Sequence, residues 1–319
     1  MIGRPSGYSS SMAADSPAPA ATTGRPRQRI ARGVTFRLGS VLAFTIMNAL
    51  VRMAADQHIP VVQVIFFRSL FAFVPIGAYM AATTGFSILA TARPGAHLIR
   101  AVIGLTSMTC LFTSLSLLPL SEATAINFSA PLFATFLSAA VLREKVGVPR
   151  WLAVAVGFVG VVVMLRPNPQ QLVAVGAIFG LVAACFSALA TVTVRQIAGT
   201  EPGPTIAFYF TLSCTVASAV LLPFTWVQPD PTTFVILACT GLVGGVGQLL
   251  MTEAIRSAPV SIIAPFDYTQ LIWAGAIGFL AWGELPRWTT VAGALVIVGS
   301  SLYILHRETR RGISLTPAR

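Results

Sequence analysis

Charge is what this sequence has least of. Only 10% of its 319 residues are Asp, Glu, Lys or Arg, 55% are hydrophobic, and the mean hydropathy is +0.80. Soluble globular domains carry about a quarter charged residues, so a soluble fold is excluded. Lysine occurs once, at Lys145, outside any glycine-rich phosphate loop, which argues against ATP-driven transport by this chain alone. The histidines, His58, His97 and His306, lie near the ends of apolar runs, no paired carboxylates share a helix face, and no nucleophile motif appears. Cys110, Cys185, Cys214 and Cys239 all fall within apolar runs, with neither CxxC nor His spacing. Disulfide and metal sites are therefore poor readings, and the cysteines read as small buried hydrophobes. No cofactor or metal is expected.

What the chain does have is apolar runs of about 20 residues, the length that crosses a roughly 30 Å hydrocarbon core as a helix. They are too long for the alternating ten-residue segments of outer-membrane barrels. The expectation is an all-α polytopic membrane protein with spans near 34–53, 61–82, 97–117, 121–142, 150–166, 173–194, 205–226, 232–255, 259–282 and 287–305. Short connections make consecutive spans antiparallel neighbours. Residues 1–33 are rich in Ser, Ala, Pro and Gly, end in arginines and contain no apolar signal segment. They read as a disordered cytoplasmic tail, with an organelle transit peptide as the alternative, and 307–319 as a second cytoplasmic tail.

The net charge of +11 would suggest nucleic acid in a soluble protein, but here the basic residues sit at helix ends. With the N-terminus inside, the outer side holds only Arg52, Arg166 and Arg287, and Arg68 falls within a span. The remaining seventeen of the 21 basic residues, from Arg4 to Arg37 and including Arg93, Arg100, Lys145, Arg195, Arg256 and Arg307, fall on the cytoplasmic side. That asymmetry puts both termini in the cytoplasm of an inner-membrane protein. Five spans per half is an odd number, so the two halves are inverted relative to each other.

The halves also resemble one another. Residues 118–151 pass from Pro119 through an apolar run to Arg143-Glu144-Lys145 and on to Pro149-Arg150-Trp151. Residues 258–288 repeat that grammar with Pro259, Glu284 and Pro286-Arg287-Trp288. An offset of 140 maps Ser121 onto Ser261, Asn127 onto Asp267, Phe128 onto Tyr268 and Glu144 onto Glu284, whereas Pro131 and Pro265 do not correspond. Gly176-x-x-x-Gly180 and Gly241-x-x-x-Gly245 read as helix-packing motifs.

The duplicated hairpin resembles the EamA repeat of the drug/metabolite transporter superfamily. The residues that carry the resemblance are Leu118 to Ala125, Pro131, Leu142-Arg143-Glu144 and Leu165-Arg166-Pro167, with Ala264-Pro265-Phe266, Gly283-Glu284 and Gly293 to Gly299 in the second half. It implies two repeats, 34–166 and 173–306, and a ten-helix carrier that moves a small organic metabolite through a central cavity by alternating access. Amino acids, riboflavin, S-adenosylmethionine and metal-chelating metabolites are cargoes of similar proteins. The partners implied are that cargo and membrane lipid, with a proton as coupling ion and a homodimer as open options, and no nucleic acid. The alternatives are a membrane-embedded enzyme, whose residues are missing, and a non-transporting membrane subunit, which has no need of buried Arg68 and Asp267.

Charges within a span are costly and therefore candidates for function. Arg68 follows Pro60 by eight residues and Asp267 follows Pro259 by eight. At about 1.5 Å per residue, each lies roughly 12 Å from opposite faces. They could meet as a neutralising ion pair. Alternatively Arg68 holds a substrate carboxylate or phosphate while Asp267 is a cation or proton site, or the two never meet. Glu122, in the first turn of the fourth span, is either a helix-end charge or cavity lining. Pro131 and Pro265 free the carbonyls of Asn127 and Ser261, which suits spans lining a cavity. Asn127 is a candidate for substrate binding, Tyr268, Gln270, Gln248, Asn48 and Tyr209 are either polar lining or helix-to-helix hydrogen-bond partners, and Glu253 with Arg256 is an interfacial pair.

Single cysteines at Gly147 and Leu285 in a cysteine-free background should react with an impermeant thiol reagent from opposite sides of the membrane. Labelling of both from one side would overturn the inverted arrangement.

Overall fold

The computed structural model describes residues 26–83, 85–91, 93–140, 147–165, 171–198, 200–258 and 260–310. The charged turn Arg143-Glu144-Lys145, Leu142, Arg166, Pro167, Pro259 and both chain ends lie outside the described residues. Among the described residues there is no strand. The helices are α1 (Pro26–Asp56), α2 (Val61–Thr83), α3 (Pro94–Leu117), α4 (Leu120–Asn127), α5 (Ala130–Ala140) and α6 (Val148–Leu165), followed by α7 (Gln171–Ala198), α8 (Gly203–Thr225), α9 (Pro231–Ser257), α10 (Val260–Ile263), α11 (Thr269–Trp282) and α12 (Trp288–Arg310). Seven of them are long and apolar enough to cross a membrane singly. α4 with α5, and α10 with α11, make two further spans that are broken part-way, and α6 completes the ten.

One boundary differs from the expectation. α1 begins at Pro26, inside the stretch read as a disordered tail. Proline suits a first helical turn because its missing N–H would find no partner there, and the Arg, Gln, Ile and Ala that follow favour helix. α9 starts by a related device. Asp230 accepts a bond from Thr232 N at 3.1 Å and another from the Thr233 hydroxyl, and that hydroxyl holds the carboxyl below its usual range.

The packing shows the repeat. α1 lies chiefly on α9, and its counterpart α7 lies on α3, the counterpart of α9. α6 packs on its own counterpart α12, and α2 on its counterpart α8, so both contacts straddle the pseudo-twofold axis. Backbones come close because small residues face one another, the usual means of association where lipid removes the hydrophobic drive. Gly176 and Gly180 meet Leu117, Leu118 and Ser114 at the end of α3, while Gly241 and Gly245 meet Phe67, Arg68, Ala72 and Pro75 of α2. Both glycine motifs are packing seams.

The two broken spans end alike although their prolines do not correspond. α4 stops at Asn127 and the helix resumes at Ala130, with Ser129 bonding back to Ile126 O through both its N–H and its hydroxyl. In the second half a 3₁₀ turn, Ala264–Tyr268, fills the gap before α11 starts at Thr269. Phe128 and Tyr268, equivalent by the offset of 140, lie against each other with ring centroids 5.1 Å apart and planes tilted by 38°. The breaks therefore meet at the axis.

Gly160 and Gly293 are the closest seam between α6 and α12. A Cβ on Gly293 would stand 2.5 Å from Gly160 O and 2.7 Å from Met164 Cβ. Gly293→Ala should wedge the two helices apart and lower the thermal midpoint, at a cost of about 1–3 kcal/mol. Gly299→Ala, where nothing lies within 4 Å, should leave it unchanged or raise it. Equal midpoints for the two variants would show that this seam carries no stability.

Candidate functional site

A cavity of about 460 Å³ lies between the halves. The first half lines it from α1, α2, α3 and the α4/α5 break, and the second from α7, α8, α9 and the 3₁₀ turn with α11. Of the residues singled out in the sequence, Arg68, Asn48, Asn127, Asp267 and Gln270 reach it. Tyr268 lies behind the lining, packed against Phe128. Glu122 is elsewhere, facing α12, where it accepts a long bond from Thr290 at 3.4 Å, and Pro119 rather than Glu122 opens α4. Gln248 lines a small space of about 10 Å³ behind Arg68. Tyr209 donates to Leu89 O at 2.8 Å. Glu253 and Arg256 pair at 2.9 Å, and Tyr79 joins them through its hydroxyl.

Arg68 and Asp267 do not meet. Asp267 is gripped by Arg37 of α1, whose Nη2 donates to Oδ2 at 2.5 Å while Nε donates to Oδ1. The depth estimate failed because it fixed height along the membrane normal and not the side of the bundle from which each charge projects. Arg37 had been counted among the tail arginines, but α1 already runs eleven residues before it. A two-pronged fork of this kind joins one half of the molecule, α1, to the 3₁₀ turn of the other.

Arg68 is 7% exposed, and its Nε has no hydrogen-bond partner. Arg100 also faces the cavity, with Nε and Nη1 unbonded and its guanidinium 4.4 Å above the Phe210 ring. The sequence reading missed Arg100 by starting the third span at 97. Counted from Pro94, where α3 begins, Arg100 lies about 9 Å along the helix. Gly104, one turn on, was the available sign, since a Cβ there would collide with Arg100 Nη1 and stand 2.6 Å from Phe210.

A second bidentate pair closes the opposite end of α1. Arg52 donates to both oxygens of Glu284 at 2.5 and 2.6 Å and lies 4.4 Å over the Trp282 ring, whose Nε1 donates to Asp56 at 2.7 Å. Gly283 makes this geometry possible. Its φ of 67° ends α11 in a left-handed turn, with Glu284 N bonding back to Gly278 O at 3.3 Å, which turns the carboxylate toward Arg52.

The description of the EamA-like transporter family matches residues 31–166 and 174–306, one match per half. The chain belongs to this family. The pseudopaline exporter of Pseudomonas aeruginosa is 30% identical over 88% of this chain and 97% of its own, and the riboflavin transporter of Vibrio cholerae is 29% identical over 88% and 95%. The S-adenosylmethionine uptake transporter of Rickettsia bellii is 27% identical over 78% and 84%. A solved crystal structure covering 88% of this chain and 99% of its own, at 19% identity and a TM-score of 0.61, shares the fold. As an EamA-family member the protein is a transporter of small molecules and not an enzyme.

The Arg37–Asp267 pair gives a direct test. Asp267→Ala leaves Arg37 without its partner and should destabilise the protein by on the order of 2 kcal/mol, read as a lower thermal midpoint. The exchange Arg37→Asp with Asp267→Arg should recover most of that loss. A midpoint that stays at the single-variant value in the exchanged protein would show that the two side chains are not coupled.

Proposed function

We propose that the protein is a secondary carrier that moves a small organic metabolite across the bacterial cytoplasmic membrane by alternating access. The observation that carries this reading is the cavity between the halves, because its wall includes both helix breaks and the charged side chains of Arg37, Arg68, Arg100 and Asp267. Broken helices are tolerated at membrane depth where protein or a watery cavity satisfies the freed backbone, and carriers with inverted repeats bind cargo at such breaks near the midplane. About 460 Å³ suits a drug-sized molecule. The relatives named for pseudopaline, riboflavin and S-adenosylmethionine include one exporter and one uptake carrier, so the small-metabolite class transfers here and a direction does not.

In this reading the two forks on α1 are the gates. Arg52 with Glu284 holds one end shut, the outer end if the N-terminus is cytoplasmic, while cargo enters beside Arg37. Protonating Asp267 removes the charge that the Arg37 fork grips, which loosens α1 from the 3₁₀ turn and frees one half to rock against the other. Its repeat counterpart Asn127 cannot titrate, so one such site is expected per chain. Exposed valines on α6, including Val156, Val159 and Val162, suit contact with lipid.

Comparing metabolites in cells that lack and that overexpress the protein identifies the cargo. With that cargo labelled, proteoliposomes under an imposed pH gradient should accumulate it, and Asp267→Asn should exchange it across the membrane without accumulation. Undiminished accumulation by Asp267→Asn would exclude this residue as the proton site. Equal fluxes with and without a gradient in the unaltered protein would make it a facilitator.

A further inference from the structure

The charges of the cavity do not balance. Its wall carries Arg37, Arg68 and Arg100 but a single carboxylate, Asp267, and that carboxylate is already gripped by Arg37. Two guanidinium groups are left with no counter-charge among the described residues. Each has at least one buried N–H without an acceptor, and both line the same cavity. A single arginine at the centre of a membrane helix costs about 3 kcal/mol. A packing role does not explain them, since among the described residues no backbone carbonyl or carboxylate accepts a hydrogen bond from either.

The backbone leaves room for Arg100 in particular. Long cationic side chains in membranes usually extend toward water. Arg100 instead folds along its own helix over Gly104 and beneath Phe210, a path that any Cβ at 104 would block. Arg68 lies against α9 where a Cβ on Gly244 would come within 3.6 Å of its Nε. Two buried cations on one cavity wall, with no carboxylate partner among the described residues, call for a counter-ion that is not part of the protein.

We propose that Arg68 and Arg100 form a two-guanidinium seat for a small organic dianion whose apolar body lies against Phe44, Met108, Phe112 and Phe128, which line the same cavity. The proposal rests on the carrier reading above and names the charge of its cargo. Guanidinium forks match carboxylate and phosphoryl oxygens in pairs. Either two carboxylates or one phosphoryl group supplies the two negative charges that neutralise the seat.

The test uses the full chain in lipid nanodiscs at fixed ionic strength, with labelled phthalate and phenyl phosphate as dianions, phthalamide as a neutral match and benzylamine as a cation. One or both dianions should bind at least tenfold more tightly than phthalamide and benzylamine, and the preferred one tells carboxylate pair from phosphoryl group. Arg68→Gln and Arg100→Gln should each weaken dianion binding by about tenfold to a hundredfold, the loss expected for one charge-assisted pair. Removing an unpaired buried charge should also leave the ligand-free thermal midpoint of Arg68→Gln at or above that of the unaltered protein. A sharp drop in that midpoint would make Arg68 a structural anchor and overturn the seat. So would dianion affinity no better than that of phthalamide, or unchanged by both substitutions. If benzylamine or phthalamide binds best and loses affinity in Asn127→Leu, the cavity remains a cargo site and only its anionic character falls. If none of the four probes binds, the seat is refuted, while the metabolite comparison still decides the carrier reading separately.

Discussion

A hydrocarbon core cannot solvate charge, and most of the described arrangement follows from how this chain meets that constraint. In the sequence, most of the 31 charged residues fall outside or near the ends of the apolar runs. Those that project between the helices are treated in two ways. Arg37 and Arg52 are each matched to one carboxylate by a two-pronged contact, Asp267 and Glu284 respectively. Arg68 and Arg100 are left bare beside the cavity. Both matched carboxylates come from the ninth span and the loop after it, and both arginines from α1. One helix of the first half is therefore fastened at two heights to one span of the second, and the fastenings are charges, which a proton or a charged ligand can undo where an apolar contact cannot be undone.

Cohesion elsewhere must come from packing, since lipid tails compete equally well for apolar side chains. The glycines facing α2, α3 and α6 supply it by letting backbones approach within van der Waals contact. These seams also do positional work. Gly241 brings α9 against the carbonyls of Phe67 and Arg68, and so sets the height at which Arg68 leaves its helix. A stripe that looks like bare packing thus positions a charge of the site.

The ten spans, the duplication and the breaks were all legible in the sequence, because hydropathy over 20 residues and an internal repeat depend on composition and order alone. Asn127 and Asp267 were legible for the same reason, as equivalent polar positions inside apolar runs. Partner choice was not. Arg37 and Arg100 sit near span ends where topology counting treats every arginine as a surface charge, and only the helix starts at Pro26 and Pro94 show them to be one or more turns inside. Glu122 misled in the opposite sense. As a carboxylate in the first turn of a span it could line the cavity, but the direction of its side chain is set by α12, which arrives 166 residues later with Trp288.

The axis of the molecule is where symmetry and asymmetry meet. Phe128 and Tyr268, which are equivalent, pack against each other, so the chain passes the axis at the same register in both halves. One residue earlier the equivalence holds in position and fails in chemistry, with Asn127 neutral and Asp267 charged. A fully symmetric pair of acids would need two arginines and would leave no difference between the two directions of rocking. A single acid, held by a single arginine, makes the two halves unlike at this position. The same asymmetry leaves the cavity with more arginine than acid, so the charge that completes it must arrive with the cargo.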